Sequence, residues 1–181
     1  MLEVGCGRGE LARALDAVGY RVLAIDPEAP EGRIFRGITL EELDDPGPFD
    51  AVVAARVLHH VDPLEPALEK VASLAPLLIL DEFAPERIDA RAKGWYAAHR
   101  ATLSEPEGPP DLDEWKSRHL DLHSSDVLLA ALRRRFAERF FERRPYFYYW
   151  LKDPDSEPVE QAAVEAGELP ALGWRWIGTP R

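Results

Sequence analysis

Cysteine is nearly missing from this 181-residue sequence: Cys6 stands alone, so no intramolecular disulfide can form, and the chain reads as a protein of a reducing compartment. No apolar run is long enough to span a membrane, and no basic segment with a cleavage site follows Met1, so the expected address is the cytoplasm. Positive charge is short as well. With 22 Lys and Arg against 33 Asp and Glu the net charge is −11, which argues against phosphate-backbone binding, because that needs clustered cations. Small molecules are therefore favoured over nucleic acid as ligands. Internal repeats and low-complexity segments are absent too. What is present is an ordinary globular composition, 46% hydrophobic and 30% charged, in a length that suits one domain over residues 1–181.

The first 26 residues, MLEVGCGRGELARALDAVGYRVLAID, organise the rest. A short apolar strand ends at Val4, a turn follows with Gly5, Gly7 and Gly9, and a helix follows with Leu11, Ala14, Leu15 and Val18 on one face. A second strand over residues 20–25 stops at Asp26. This is a βαβ unit whose first turn is stripped of side chains at the mouth of a helix N-terminus, where a ligand can approach backbone N–H groups. An ionised carboxylate ending the second strand can accept from both hydroxyls of a ribose, so the expected ligand contains adenosine. Spacing separates two cofactor classes. The dinucleotide pattern G-x-G-x-x-G/A wants a small residue six positions along from Gly5, and Glu10 stands there, bulky and repulsive to a phosphate. That disfavours an NAD-dependent oxidoreductase.

The pattern present, Glu3, Gly5, Gly7 and Gly9 with Asp26 downstream, resembles the first two motifs of class I S-adenosylmethionine-dependent methyltransferases. The run FDAVVAARVLHHVDPLEPAL resembles the fourth motif of the small-molecule members of that family, with its Leu-His-His triplet after the fourth strand. The resemblance implies an α/β, Rossmann-like, doubly wound sheet in three α/β/α layers, mostly parallel with an antiparallel last strand. It implies S-adenosylmethionine as cofactor, with the glycine loop around its methionine end and the acid after the second strand on its ribose. Glu3, Gly5, Cys6, Gly7, Gly9, Asp26, Arg56 and Leu58 are the cofactor-binding candidates. The family's acid after the third strand has no counterpart before Glu41, so adenine would rest on backbone groups and apolar contact. Such chains usually carry a helix before the first strand. Met1 lies inside that strand, and the expectation is a natural chain that begins upstream or has lost its cap.

Along the remaining chain the pattern predicts a third strand over residues 33–38, reached from Asp26 by a bare loop, since six residues cannot hold a crossover helix. A turn at Pro46, Gly47 and Pro48 announces a strand over 49–54. Asp62 as N-cap, Pro63 at the first helical position and Glu65 start a helix with Leu64, Ala67, Leu68 and Val71 inward. A buried strand over 77–80 ends in Asp81, Glu82 and Phe83. Residues 84–123 read as a helical insertion over the acceptor: a helix over 88–103, a break at SEPEGPPD, and a short helix around Trp115. Ser124 caps a helix with Val127, Leu128, Ala131 and Leu132 inward. The aromatic run 145–151 reads as the sixth strand, 159–166 as a helix, and 172–178 as the last strand.

Ligands of doubly wound sheets lie beyond the carboxyl ends of the strands, which gathers the Gly5 loop, Asp26, residues 56–60 and Asp81-Glu82 at one crevice. Methyl transfer from a sulfonium asks the protein mainly to orient the acceptor and exclude water; a base is needed only where the acceptor keeps a proton. His59 and Glu82 are the candidates for that catalytic role, with one of His59 and His60 facing the cleft. Trp95, Tyr96 and His99 are the candidate substrate-binding surface, unless Trp95 merely packs its helix onto the domain. Their expected partner is a small-molecule acceptor methylated on oxygen or nitrogen. His119 and His123 stand four apart without an HExxH pattern or a supporting cysteine, so no metal is expected. The arginines of 133–135 and 143–144, broken by Glu138 and Glu142, read as a solvated face. A binding module of the same fold without chemistry is the alternative function.

Overall fold

The computed structural model describes residues 1–44, 47–105 and 107–181. Pro46 of the expected turn and Pro106 of the expected chain break therefore lie outside the described residues. The core of the molecule is a seven-stranded sheet: β1 (Leu2–Val4), β2 (Leu23–Ile25), β3 (Phe35–Arg36), β4 (Val52–Ala55), β5 (Leu78–Phe83), β6 (Phe136–Arg144) and β7 (Gly173–Pro180). Their order across the sheet is β3-β2-β1-β4-β5-β7-β6. The first five strands are mutually parallel, and β7 is antiparallel to both β5 and β6. The helices are α1 (Glu10–Ala17), α2 (Leu64–Leu74), α3 (Ala90–Arg100), α4 (Leu112–Arg118), α5 (Ser125–Arg135), α6 (Phe147–Leu151) and α7 (Glu157–Glu165).

Strand alternation divides the side chains between two faces. Leu2, Val4, Ile25, Val52, Ala54, Leu78, Leu80, Trp174 and Trp176 point one way, into the main core under α2 and α5. The opposite face carries two smaller cores. Cys6, Ala12, Ala24 and Ile34 pack beside α1, and Phe83, Ile88, Ala92, Tyr96, Phe147, Leu151 and Ala163 gather α3, α6 and α7. Glu3 is in the middle of β1, between Ala24 of β2 and Val53 of β4, and is out of phase with Leu2 and Val4, so it faces the α1 side.

Several local expectations change. Helix α1 buries Ala12, not the Leu11–Val18 stripe: Leu11 and Val18 are exposed, and Leu15 is only half-buried. Helix α2 starts at Leu64, with Pro63 in extended conformation as its cap; Asp62 makes no capping bond. Ser124 does cap α5 through Val127 N–H, but Leu129, not Val127, joins Leu128, Ala131 and Leu132 inside. No α-helix lies between β2 and β3 among the described residues, as the short spacing requires.

The largest correction concerns the sixth strand. The run Tyr146 to Leu151 is not a strand; it holds helix α6, and the strand is the charged stretch Phe136–Arg144 before it. The carboxylate of Glu160, itself fully buried, accepts from the N–H groups of Tyr146, Phe147 and Tyr148 at 2.7, 2.9 and 2.9 Å. Those are the orphan donors of a helix start, and capping them decides the conformation of an otherwise strand-like aromatic run. The strand escaped notice because it is the sheet edge: it pairs with β7 alone among the described strands, and only Phe136 of its residues is fully buried. Its arginines and those ending α5 are partnered, Arg133 with Glu138, Arg134 with Glu65, Arg135 with Glu69 and Arg143 with Ser125.

Candidate active site

The glycine turn leaves β1 with Gly5, Gly7 and Gly9 all at positive φ, +72°, +48° and +76°. A side chain at Gly5 would place its Cβ 2.4 Å from Val57, and one at Gly9 would meet the Phe35 ring at 2.5 Å, so both positions admit only hydrogen. Gly7 has no neighbour within 4 Å of where a Cβ would stand and faces open space. The turn is pinned from the next strand: Gly5 and Cys6 N–H donate to the Ile25 carbonyl at 2.9 and 3.1 Å, and Gly7 N–H donates to Asp26 Oδ2 at 3.0 Å. The other Asp26 oxygen accepts from Glu28 N–H at 2.9 Å. Cys6 is packed within the turn, and burial, followed by the nearby Glu3 carboxylate, pushes its thiol up to about 11. It is an inert filler rather than a nucleophile.

Beside the turn opens a cleft of about 530 Å³ lined by Glu3, Gly5, Gly7, Asp26, Arg56 and Val57, with Glu10 and Arg8 at its rim. Glu3 is 3% exposed, and its Oε2 has no hydrogen-bond partner. Burial raises its pKa to about 7 against a lowering by Arg56. A buried, unpaired carboxylate oxygen facing a cleft is a site for a cation or an N–H donor that the protein itself does not supply. A second recess, about 350 Å³, adjoins through Gly5, Asp26, Val57 and His60 and is walled by Ile25, Ile38, Leu40 and Val61. The two spaces meet at Gly5, Asp26, Val57 and His60, with Glu3 on one side and the apolar wall on the other.

Beyond the fourth strand, Arg56 is held at φ +58°, with its N–H on the Asp81 carbonyl at 2.7 Å. Its guanidinium donates to Asp81 Oδ2 at 2.9 Å and lies 3.9 Å from the centre of the Tyr149 ring. Glu82 points to the opposite face of β5. Its carboxylate accepts from Val57 N–H at 3.0 Å and Leu58 N–H at 2.6 Å, and its Oε2 lies 2.6 Å from His59 Nδ1. His123 braces the same turn, its N–H on the His59 carbonyl and its Nε2 on the Val61 carbonyl, both at 2.9 Å. His59, Arg56 and His60 open onto a chamber of about 220 Å³ whose walls are Phe83, Trp115, Tyr146, Tyr149 and Trp150.

Residues 1–135 match a family model described as "Methyltransferase domain". The chain belongs to that family. The curated relatives include the ubiquinone biosynthesis O-methyltransferases of Rhodopseudomonas palustris strain TIE-1 and Bradyrhizobium sp. strain ORS 278, each 31% identical over 87 residues. That segment is 41% of this chain and 34% of each relative, so the match spans about a third of the relatives' length. Among solved structures, an S-adenosylmethionine-dependent methyltransferase from Mesorhizobium loti superposes with TM-score 0.62 at 16% identity, covering 99% of this chain and 89% of that one. The 1,6-didemethyltoxoflavin-N1-methyltransferase of Burkholderia thailandensis, solved with its substrate and S-adenosylhomocysteine, gives 0.59 at 16%, covering 99% and 69%. These two establish the shared methyltransferase fold: the mostly parallel, doubly wound sheet with β7 reversed.

Within this methyltransferase domain, Glu3, Gly5, Cys6, Gly7, Asp26 and Arg56 all line the first cleft, and Gly9 starts α1 beneath it. Leu58 does not reach the cleft; its side chain is 1% exposed in the main core, and the neighbouring Val57 takes the place at the wall. Both histidines of the pair reach the space, His60 exposed at the junction and His59 buried deeper. Partial burial and the adjacent His59 hold the His60 pKa below the usual histidine value. Trp95, Tyr96 and His99 line none of these spaces. Trp95 stacks on His99 and Phe147, and Tyr96 is buried against Phe147, so this surface fastens α3 to α6. The aromatic wall comes instead from α4 and α6, as Trp115, Tyr149 and Trp150. His119 binds its Nδ1 to the Trp115 carbonyl at 2.7 Å, and no cluster of three metal-ligating side chains occurs among the described residues.

Proposed function

We propose that this chain binds S-adenosylmethionine along the cleft and its adjoining recess and transfers its methyl group to an oxygen or nitrogen of a small-molecule acceptor in the neighbouring chamber. The observation that carries the reading is Glu3, a buried carboxylate with an unpaired oxygen, beside an open Gly7 that Asp26 clamps from the next strand. Glu3 suits the ammonium of a methionine moiety, and the bare backbone of Gly5–Gly7 lets that moiety approach. Asp26 spends one acceptor position on Gly7 and one on Glu28, and a carboxylate has about four, so two remain for a ribose diol. The apolar recess of Ile25, Ile38, Leu40 and Val61 suits a purine. When bound, the cofactor supplies a methyl group on a sulfonium, a leaving group that is already activated.

The chain's own residues then have three tasks. The aromatic wall orients the acceptor and excludes water, a proximity effect. Glu82 is a positioning residue: sealed from the crevice, it fixes the ring of His59 and the loop that carries it. His59, with Nδ1 committed to Glu82, keeps Nε2 to take a proton from the acceptor. Incubation with methyl-labelled cofactor and a panel of oxygen and nitrogen acceptors tests the reading. Labelled product is expected, with His59→Ala slowing it by about 10²–10⁴-fold for an acceptor that must lose a proton. Binding of S-adenosylhomocysteine without transfer to any acceptor would instead favour the module without chemistry.

A further inference from the structure

The chamber beyond the cofactor cleft has a composition that the methyl-transfer reading does not require. Its walls are aromatic: Trp150 lies 5.0 Å from Phe83, 4.9 Å from Trp115 and 5.3 Å from Tyr146 between ring centres, inclined at 62°, 61° and 79°. Rings set at such angles leave faces and edges for another flat ring to meet. Its polar lining is Arg56, His59, His60 and His119, with no carboxylate among the lining residues. Glu82 is engaged behind His59 and Asp81 between Arg56 and Arg175. A second cation, Lys152, reaches the same Tyr149 ring as Arg56, 4.4 Å from its centre.

We infer that the acceptor is a single-ring phenol, held flat among Trp115, Trp150 and Phe83 with its hydroxyl at His59 and its developing negative charge toward Arg56. This rests on the methyl-transfer reading and narrows it to oxygen. Size suits one ring: a cavity of about 150 Å³ takes benzene, and this one holds about 220 Å³. Charge supports a phenol over an amine, because a protonated amine would meet Arg56 with like sign while a phenolate would meet it with opposite sign. Acidity supports a phenol over an aliphatic alcohol. The ordinary gap between phenol and imidazole is about 3.5 pK units, against about 9 for a hydroxyl as weakly acidic as water. In the step itself, His59 Nε2 takes the phenol proton and the phenol oxygen forms the new C–O bond. The methyl–sulfur bond breaks with its pair left on sulfur, and the proton passes from His59 to water.

The test is a ligand-observed NMR titration of the full chain with catechol, cyclohexanol and benzylamine, each with and without S-adenosylhomocysteine, repeated on Trp115→Leu. Trp115 lines the chamber and neither part of the cofactor cleft. The inference expects catechol to bind at least about tenfold tighter than the other two, and Trp115→Leu to lose that margin while keeping its affinity for S-adenosylhomocysteine. Equal binding of the three probes, or no binding of catechol, overturns it. Failure of S-adenosylhomocysteine alone overturns the underlying reading instead, since the titrations without it judge the chamber independently.

Discussion

His59 Nδ1, in the turn after β4, and Glu82 Oε2, on β5, stand 2.6 Å apart, with both groups removed from water. The same carboxylate also takes the N–H groups of Val57 and Leu58, so one side chain sets the loop, the ring and the ring's free nitrogen together. Glu82→Ala leaves these donors buried and unpaired and is expected to cost roughly 3–5 kcal/mol of stability. Glu82→Gln keeps an acceptor for the loop and is expected to cost less, while still slowing transfer to a protonated acceptor. Denaturant titration alongside turnover of both variants checks the order; equal stability for Glu82→Ala and the unaltered chain would contradict it.

The glycine turn separates space from backbone strain. Gly5→Ala meets Val57 at 2.4 Å and a positive φ, whereas Gly7→Ala meets only the positive φ, which costs about 1–2 kcal/mol. Gly5→Ala is therefore expected to destabilise the chain by clearly more than Gly7→Ala, measured as the difference in denaturation midpoint at unchanged slope. Gly7→Ala should show its effect in cofactor affinity, because its new methyl group points into the open space of the cleft.

Glu3 makes the account sensitive to pH. Its folded pKa, about 7, lies above the ordinary 4.5, so the folded chain keeps a proton that the unfolded chain releases between these values. This contribution to stability is full below about 4.5, falls as pH rises, and is gone above about 7. Glu3→Gln is expected to remove that fall, read by denaturation at a series of pH values. Affinity for S-adenosylhomocysteine should move the other way, rising from pH 6 to 8 as the carboxylate ionises and gains the charge that attracts an ammonium group.

Glu160 is the anchor of the aromatic wall. Glu160→Ala strips three N–H groups of their acceptor at the start of α6 and is expected to cost roughly 3 kcal/mol and to weaken catechol binding at the chamber. Unfolding titrations and the NMR titration measure both effects on one sample.

How far the sequence could be read follows from where each element's information lies. The β1–α1–β2 unit and the β4–α2–β5 unit were legible because a parallel strand buried on both faces is an apolar run, and because a glycine turn between strand and helix has few other uses. These two units bring Glu3, Asp26 and Arg56 to one cleft. The aromatic run at 146–151 was misread because its conformation is set by Glu160, twelve to fourteen positions away, and not by its own residues. The neighbouring strand was missed because an edge strand with one solvated face needs no apolar alternation. Those two errors hid Tyr149 and Trp150 from the site. Trp95 and Trp115 have similar settings on their helices, and only the packing of α3 on α6 shows which one is left facing the chamber.

The most direct measurement is a calorimetric titration of the purified chain with S-adenosylmethionine, S-adenosylhomocysteine and NAD, repeated with Asp26→Ala. The account predicts binding of the first two and not of NAD, with both affinities reduced when Asp26 no longer holds Gly7 and the ribose site. A folded chain that binds neither sulfur compound, or that binds them equally well without the Asp26 carboxylate, would contradict it.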